Sequence, residues 1–117
     1  MCITNAKTLY ILIYSANESN LYAAIVAPEK GKIYFMDREI MAVGGNKTIA
    51  IGGITIEANT NGDKIEFYVD DELKYEDSEE PYQWFWNEFS MGNHEIKVVA
   101  YDGGNKASDK LKILKLL

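Results

Sequence analysis

Few side chains in this 117-residue chain have types and spacings that could do chemistry. His94 is the single histidine and Cys2 the single cysteine, and they lie far apart in sequence. A tetrahedral zinc site needs about four N, S or O ligands, which this pair does not supply, and a lone cysteine forms no internal disulfide. A histidine used as general base needs a nucleophile and an orienting partner beside it, and the chain has no G-x-S-x-G elbow. His94 opens a run that alternates like a strand, so it is read as structural, its ring nitrogens bonding to nearby backbone. Glu79 and Glu80 are adjacent and point to opposite faces of an extended chain. Glycosidase carboxylates must instead flank one bond, about 5–10 Å apart. No catalytic residue is assigned. The chain is read as non-enzymatic, with a small hydrolase as the third of three functional readings.

Binding chemistry has more to draw on. Asp63, Glu66, Asp70, Asp71, Glu72, Glu76, Asp77, Glu79 and Glu80 crowd one stretch, while Lys106, Lys110, Lys112 and Lys115 fall near the end. Such runs are usually solvated strand faces and turns. With a net charge of −6, no nucleic-acid partner is expected, because nucleic-acid affinity rests on Lys and Arg neutralising phosphates. Loop carboxylates from neighbouring turns could hold calcium, which takes about 6–8 oxygen ligands. The candidates are Asp37, Asp63, Asp102 and Asn105. No EF-hand pattern is present, and Asp102 before two glycines also serves as a turn former. No other cofactor is expected. The eight tyrosines, four phenylalanines and two tryptophans could stock a core or a flat platform for stacking sugars. Tyr82, Trp84 and Trp86 share one strand face and are assigned to the core. That assignment leaves Tyr68, Phe85 and Tyr101 facing outward as candidate ligand-binding aromatics, or puts Phe85 against the N-terminal segment.

The elements that would position these residues read as strands. The chain is 47% hydrophobic and 26% charged, within the range of ordinary globular domains and long enough for one. Its β-branched and aromatic residues cluster in short runs bounded by Gly, Asn and Asp. Residues 1–30 differ from the rest. Thr8–Tyr14 and Leu21–Ala27 are apolar runs, each well short of the roughly 18 residues of a membrane span, so no membrane insertion is expected. A signal peptide with Lys7 as charged flank and Ser15-Ala16 as cleavage site would have a core of only seven residues, against about 7–15 in general. Residues 1–30 are instead expected as a hairpin or extension packed on the main domain, or the remnant of a preceding module, with Pro28-Glu29-Lys30-Gly31 as linker to a domain over 31–117.

From Lys32 onward the alternation predicts an edge strand with Ile33 and Phe35 on one face, then a strand carrying Ile49 and Ile51. The apolar parity shifts to Ile54, Ile56 and Ala58 across Gly52-Gly53, which predicts a bulge or sharp kink there. Ile65, Phe67 and Val69 share a face, Asp70-Asp71 turns into Leu73 and Tyr75, and Ile96, Val98 and Ala100 follow His94 on one face. The last strand carries Leu111 and Ile113, with the apolar parity slipping to Leu114 and Leu116. About seven strands at spacings of roughly 8–12 residues suit an antiparallel β-sandwich. Asn17-Glu18-Ser19 and Asn46-Lys47-Thr48 are glycosylation sequons.

Three strands carry a resemblance. Glu66-Phe67-Tyr68-Val69-Asp70, then Pro81-Tyr82 with Trp84 and Trp86, then Gly92, His94, Ile96, Val98, Ala100, Tyr101 and Asp102 together resemble the bacterial and archaeal immunoglobulin-like (Big-type) domain. The likeness covers about residues 32–116. Asp71 departs from it by standing where the family has a turn glycine, and the motif occurs once. The resemblance implies an Ig-like sandwich, an extracellular or cell-surface setting, and neighbouring domains in a larger polypeptide. It further implies a spacer, an adhesion or protein-interaction module, or a carbohydrate-binding accessory domain whose partner is a protein or a glycan.

Overall fold

The computed structural model describes residues 20–117, and these contain strands and turns but no helix. Ten strands follow in order: β1 (Ala23–Ala27), β2 (Lys32–Phe35), β3 (Arg38–Ala42), β4 (Ile49–Ile51), β5 (Ile54–Thr60), β6 (Lys64–Val69), β7 (Glu72–Asp77), β8 (Tyr82–Trp86), β9 (Gly92–Asp102) and β10 (Asn105–Leu116). They form a three-stranded sheet, β1-β5-β8, facing a seven-stranded sheet, β3-β2-β4-β10-β9-β6-β7. The pairings are antiparallel except that β4 runs parallel to both β2 and β10. This is the expected Ig-like sandwich, with ten strands rather than about seven because β1, the β2–β3 hairpin and the short β4 each form separate pairings.

The core follows from period-two alternation, which sends every second side chain to the same face. Ile54, Ile56 and Ala58 from one sheet meet Ile65, Phe67, Val69, Ile96, Val98, Ala100, Leu111 and Ile113 from the other, all buried. Tyr82 and Trp86 join them, with Trp84 partly buried against the cluster. Phe67 lies 6.2 Å from Trp84 at a 43° tilt, and Trp84 stacks on Trp86 at 6.2 Å and 21°. The core assignment of the tryptophan face therefore stands.

Leu21–Ala27 supplies β1, whose residues Ala23, Ala24 and Ile25 pair with Thr60, Asn59 and Ala58. The Ile25 N–H also donates to the Asp109 carboxylate on β10 (2.9 Å), a bond that reaches across from the other sheet. Leu21, Ala23 and Ile25 pack on the core. This run thus pairs into the small sheet, and Pro28–Gly31 is the crossover from it to β2 in the large one. Thr8–Tyr14, Cys2, Lys7, Ser15-Ala16 and the Asn17 sequon lie outside the described residues.

Three parity expectations are corrected. In β2 it is Tyr34 that is buried, its hydroxyl accepting the Glu29 N–H (2.9 Å), while Phe35 is exposed. In β4 Ala50 occupies the core, with Ile49 and Ile51 only partly covered. The core parity therefore does not switch across Gly52-Gly53. The chain kinks there (Gly52 φ 89°) and crosses to the other sheet, so buried residues keep even numbers on both sides. In β10 the alternation continues as Leu111, Ile113 and Lys115, and the lysine is fully buried. Its ammonium donates to the Glu88 carbonyl (2.8 Å) and the Leu117 carbonyl (2.7 Å) and sits 5.0 Å from the Trp86 ring centre. Burial holds its pKa below the ordinary lysine value. The hydrophobic stem covers apolar surface while the charged tip finds oxygens at the end of the sandwich, which is how a lysine can fill a core position.

Phe67 has no measurable exposure and contacts aromatics on both flanks. Replacing it with alanine should lower the unfolding free energy by about 3–5 kcal/mol. Urea denaturation checks this, and a loss under about 1 kcal/mol would mean that the ring is not a core element.

Candidate functional site

The outer face of β6, β9 and β10 gathers the most chemistry. The register sets Lys64 opposite Tyr101, Glu66 opposite Val99 and Tyr68 opposite Lys97, with Lys106 beside Tyr101 on the next strand. Glu66 Oε1 accepts both the Tyr68 and Tyr101 hydroxyls, each at 2.7 Å. Burial works against the charge of Glu66, yet the two phenol bonds with Lys64 and Lys106 outweigh it and hold its pKa below the usual range. The same hydrogen bond, followed by burial, pushes the Tyr68 and Tyr101 phenols above their ordinary value. Lys97 lies 5.0 Å from the Tyr68 ring centre, and Lys64 and Lys106 lie 4.7 and 5.5 Å from that of Tyr101. Tyr68, Lys97, Val99, Tyr101 and Lys106 thus wall a shallow recess of about 310 Å³. Within about 6 Å of a ring centre an ammonium occupies the electron-rich face. A sugar stacking on these tyrosines must therefore displace lysines that are themselves tied, Lys97 to Asp71 (3.3 Å) and Lys64 to Glu76 (2.7 Å).

The third outward aromatic, Phe85, is 49% exposed on the other sheet, where β8 pairs with β5, and its ring packs on Gly53. It does not share a surface with Tyr68 and Tyr101. Nor does the described part of the N-terminal segment cover it, because β1 occupies the opposite edge of that sheet.

The four calcium candidates are divided. Asp37 bonds the Thr55 N–H (2.7 Å) and hydroxyl (2.6 Å), tying the β2–β3 turn to the start of β5. Asp63 follows the far end of β5, and its N–H donates to the Tyr101 carbonyl (2.8 Å). Asp102 and Asn105 bracket the nearby Gly103-Gly104 turn. Among the described residues no three His, Cys, Asp or Glu side chains come close enough to hold a metal ion.

His94 has partners that the sequence reading did not supply. Instead of backbone, its Nδ1 meets Asp70 Oδ2 and its Nε2 meets Ser90 Oγ, both at 2.6 Å. The register explains Asp70: Val69 pairs with Ile96, so the residue just past β6 faces the beginning of β9. Asp70 and Asp71 both adopt left-handed backbone (φ 51° and 68°), the geometry of a two-residue hairpin turn, so aspartate here takes the place of the glycine. The Asp70 N–H donates to the Glu95 carbonyl and Asp70 Oδ1 accepts the Glu95 N–H, each at 2.9 Å. The His94 bond first, then this backbone bond, hold the Asp70 carboxyl below the usual range against the effect of burial.

With the fold and these clusters defined, the class is clear: residues 39–98 match the bacterial Ig domain family, and the chain belongs to it. A solved structure of Clostridium thermocellum CbhA fibronectin(III)-like modules is similar with a TM-score of 0.61 and 28% identity, over 82% of this chain and 46% of that one. The endo-β-1,4-mannanase from Thermotoga petrophila (TM-score 0.59, 14% identity, 84% of this chain, 20% of that one) shares the fold. So does the Bacteroides uniformis β-glucuronidase (TM-score 0.52, 15% identity, 80% and 10%). The chain thus spans less than half of each of these proteins. No curated protein matches the sequence. No helix among the described residues is long and apolar enough to cross a membrane.

Two outcomes follow from the site geometry. A phenol whose pKa is raised in the folded protein adds stability below its unfolded value, near 10.0, and that contribution fades as the pH rises through the folded value. Glu66→Gln should bring tyrosine residues back toward 10.0 in an ultraviolet tyrosinate titration; an unchanged titration would show that Glu66 does not hold the phenols. Because the calcium candidates are split between two ends, the melting temperature should be the same in calcium and in chelator. A rise that grows with calcium concentration would reveal a site by mass action.

Proposed function

We propose that this domain serves as a structural spacer or protein-interaction module of a cell-surface or secreted protein. The observation that carries this reading is where the strands begin and end. β1 starts beside Thr60 and Asn61, at the end of the sandwich that also holds Asp63 and Asp102. β10 finishes beside Gly92, at the opposite end. The start of β1 and the end of β10 thus lie at opposite poles, and β10 alone, at 12 residues, extends about 40 Å, a geometry that suits one unit in a string of domains. The three candidate ligand-binding aromatics support the same reading: Phe85 is exposed on the small sheet, whereas Tyr68 and Tyr101 are partly buried on the large one and flanked by lysines. The solved relatives fit it too, since each likeness covers only part of a longer protein.

A carbohydrate-binding accessory role is the second reading, favoured by the recess between Tyr68 and Tyr101. Affinity electrophoresis through gels containing soluble polysaccharides separates the two. The expected result is unretarded migration. Retardation by one polysaccharide that Tyr101→Ala abolishes would make sugar binding the function.

A further inference from the structure

At the end of the sandwich away from the Tyr68–Tyr101 recess, three side chains from different places in the sequence fall into line. Ser90 Oγ is 2.6 Å from His94 Nε2, and His94 Nδ1 is 2.6 Å from Asp70 Oδ2. We propose that this is a working relay in which Ser90 is an activated nucleophile toward uncharged carboxylic esters, an activity carried in addition to the structural role proposed above.

The hydrogen bonds set the direction of the relay when the imidazole is neutral. An ionised Asp70 only accepts, so the neutral ring carries its hydrogen on Nδ1, and the lone pair of Nε2 then accepts the Ser90 hydroxyl proton. Asp70 cannot turn away, since its other oxygen accepts the Glu95 N–H and its own N–H is bonded to the Glu95 carbonyl. The imidazole is held from the side by the buried Trp86, 5.4 Å away and edge-on at 89°.

The relay borders a recess of about 300 Å³ that is also lined by Glu72, Lys74, Glu88 and Phe89. Phe89 is 74% exposed and offers an apolar wall to an acyl chain. Lys74 is paired with Glu88 (3.1 Å) and Glu72 (3.5 Å), so with Asp70 the carboxylates outnumber the ammonium. That balance repels phosphoesters and other anions and admits a neutral ester.

The chemistry balances without a cofactor. Ser90 Oγ bonds to the acyl carbon while its proton passes to His94 Nε2, and Asp70 stays ionised to stabilise the imidazolium. The tetrahedral intermediate collapses, the bond from carbon to the alcohol oxygen breaks, and the alcohol leaves with the proton from His94. Water then attacks the acyl-Ser90 carbonyl, gives a proton to His94, and releases the carboxylic acid and free Ser90.

The test treats the full chain with a fluorophosphonate probe, which phosphonylates activated serines, and maps the adduct by peptide mass spectrometry. The expected adduct is on Ser90, with Ser78 and Ser108 unmodified. His94→Gln should slow labelling by about 10²–10⁴-fold, the contribution of a positioned base. Ser90→Ala, which removes one hydroxyl from a partly buried loop position, should abolish the burst of 4-nitrophenol released from 4-nitrophenyl acetate. That second readout holds even if the histidine variant fails to fold. Labelling of Ser90 no faster than of Ser78 and Ser108, or a burst that survives in Ser90→Ala, would overturn the proposal and leave the relay as a loop tie.

Discussion

The aromatic column between the sheets is the contact on which the rest of the structure depends. From Tyr75 through Phe67, Trp84 and Trp86 to His94, successive ring centres lie 5.4–6.2 Å apart. The column joins β8 of the small sheet to β6, β7 and β9 of the large one. Aromatic side chains bury large areas with defined mutual geometry, so this line sets both the spacing and the register of the two layers. It also consumes both tryptophans, which leaves the outer faces to tyrosine and phenylalanine. At its last position it aims an imidazole at Asp70 and Ser90. The indole N–H of the buried Trp86 finds no hydrogen-bond partner among the described residues.

The strands of the second half were readable because each alternates cleanly and is bounded by a turn whose chemistry is explicit. Val69-Asp70-Asp71-Glu72 and Asp102-Gly103-Gly104-Asn105 both close two-residue turns as their residue types suggest. The first half was harder for a physical reason. β2 and β4 are short strands toward an edge of the large sheet, where both faces hold apolar residues and alternation no longer tells inside from outside. Ala50 occupies the core while the larger Ile49 and Ile51 flank it. Lys115 defeats the pattern differently. A lysine reads as solvent-exposed, and only the carbonyls of Glu88 and Leu117, brought to its tip by folding, make its burial tolerable.

The outward aromatics were identified singly, but their grouping was not. Outward-facing residues of one sequence can lie on either sheet, and only strand order separates Phe85 from Tyr68 and Tyr101. The union of Tyr68 and Tyr101 through one Glu66 oxygen depends on the β6–β9 register, which residue types alone do not give. Asp70 and Ser90 were missed as histidine partners because one is 24 residues from His94 and the other stands in a loop with no strand periodicity. The calcium candidates shared a residue type and a loop setting, yet the length of β5 holds Asp37 and Asp63 apart.

The pole-to-pole course of the chain has a mechanical consequence. A pull applied between the start of β1 and the end of β10 acts along the strands rather than across them. Hydrogen bonds in an antiparallel pair stand perpendicular to the strands, so they are loaded side by side in shear instead of opening one after another. β10 is gripped along eleven registered positions by β9 and again by β4 on its other side. Under tension this strand must slide as a unit before the sandwich can come apart, so the longest pairing in the domain lies on the path that carries the force.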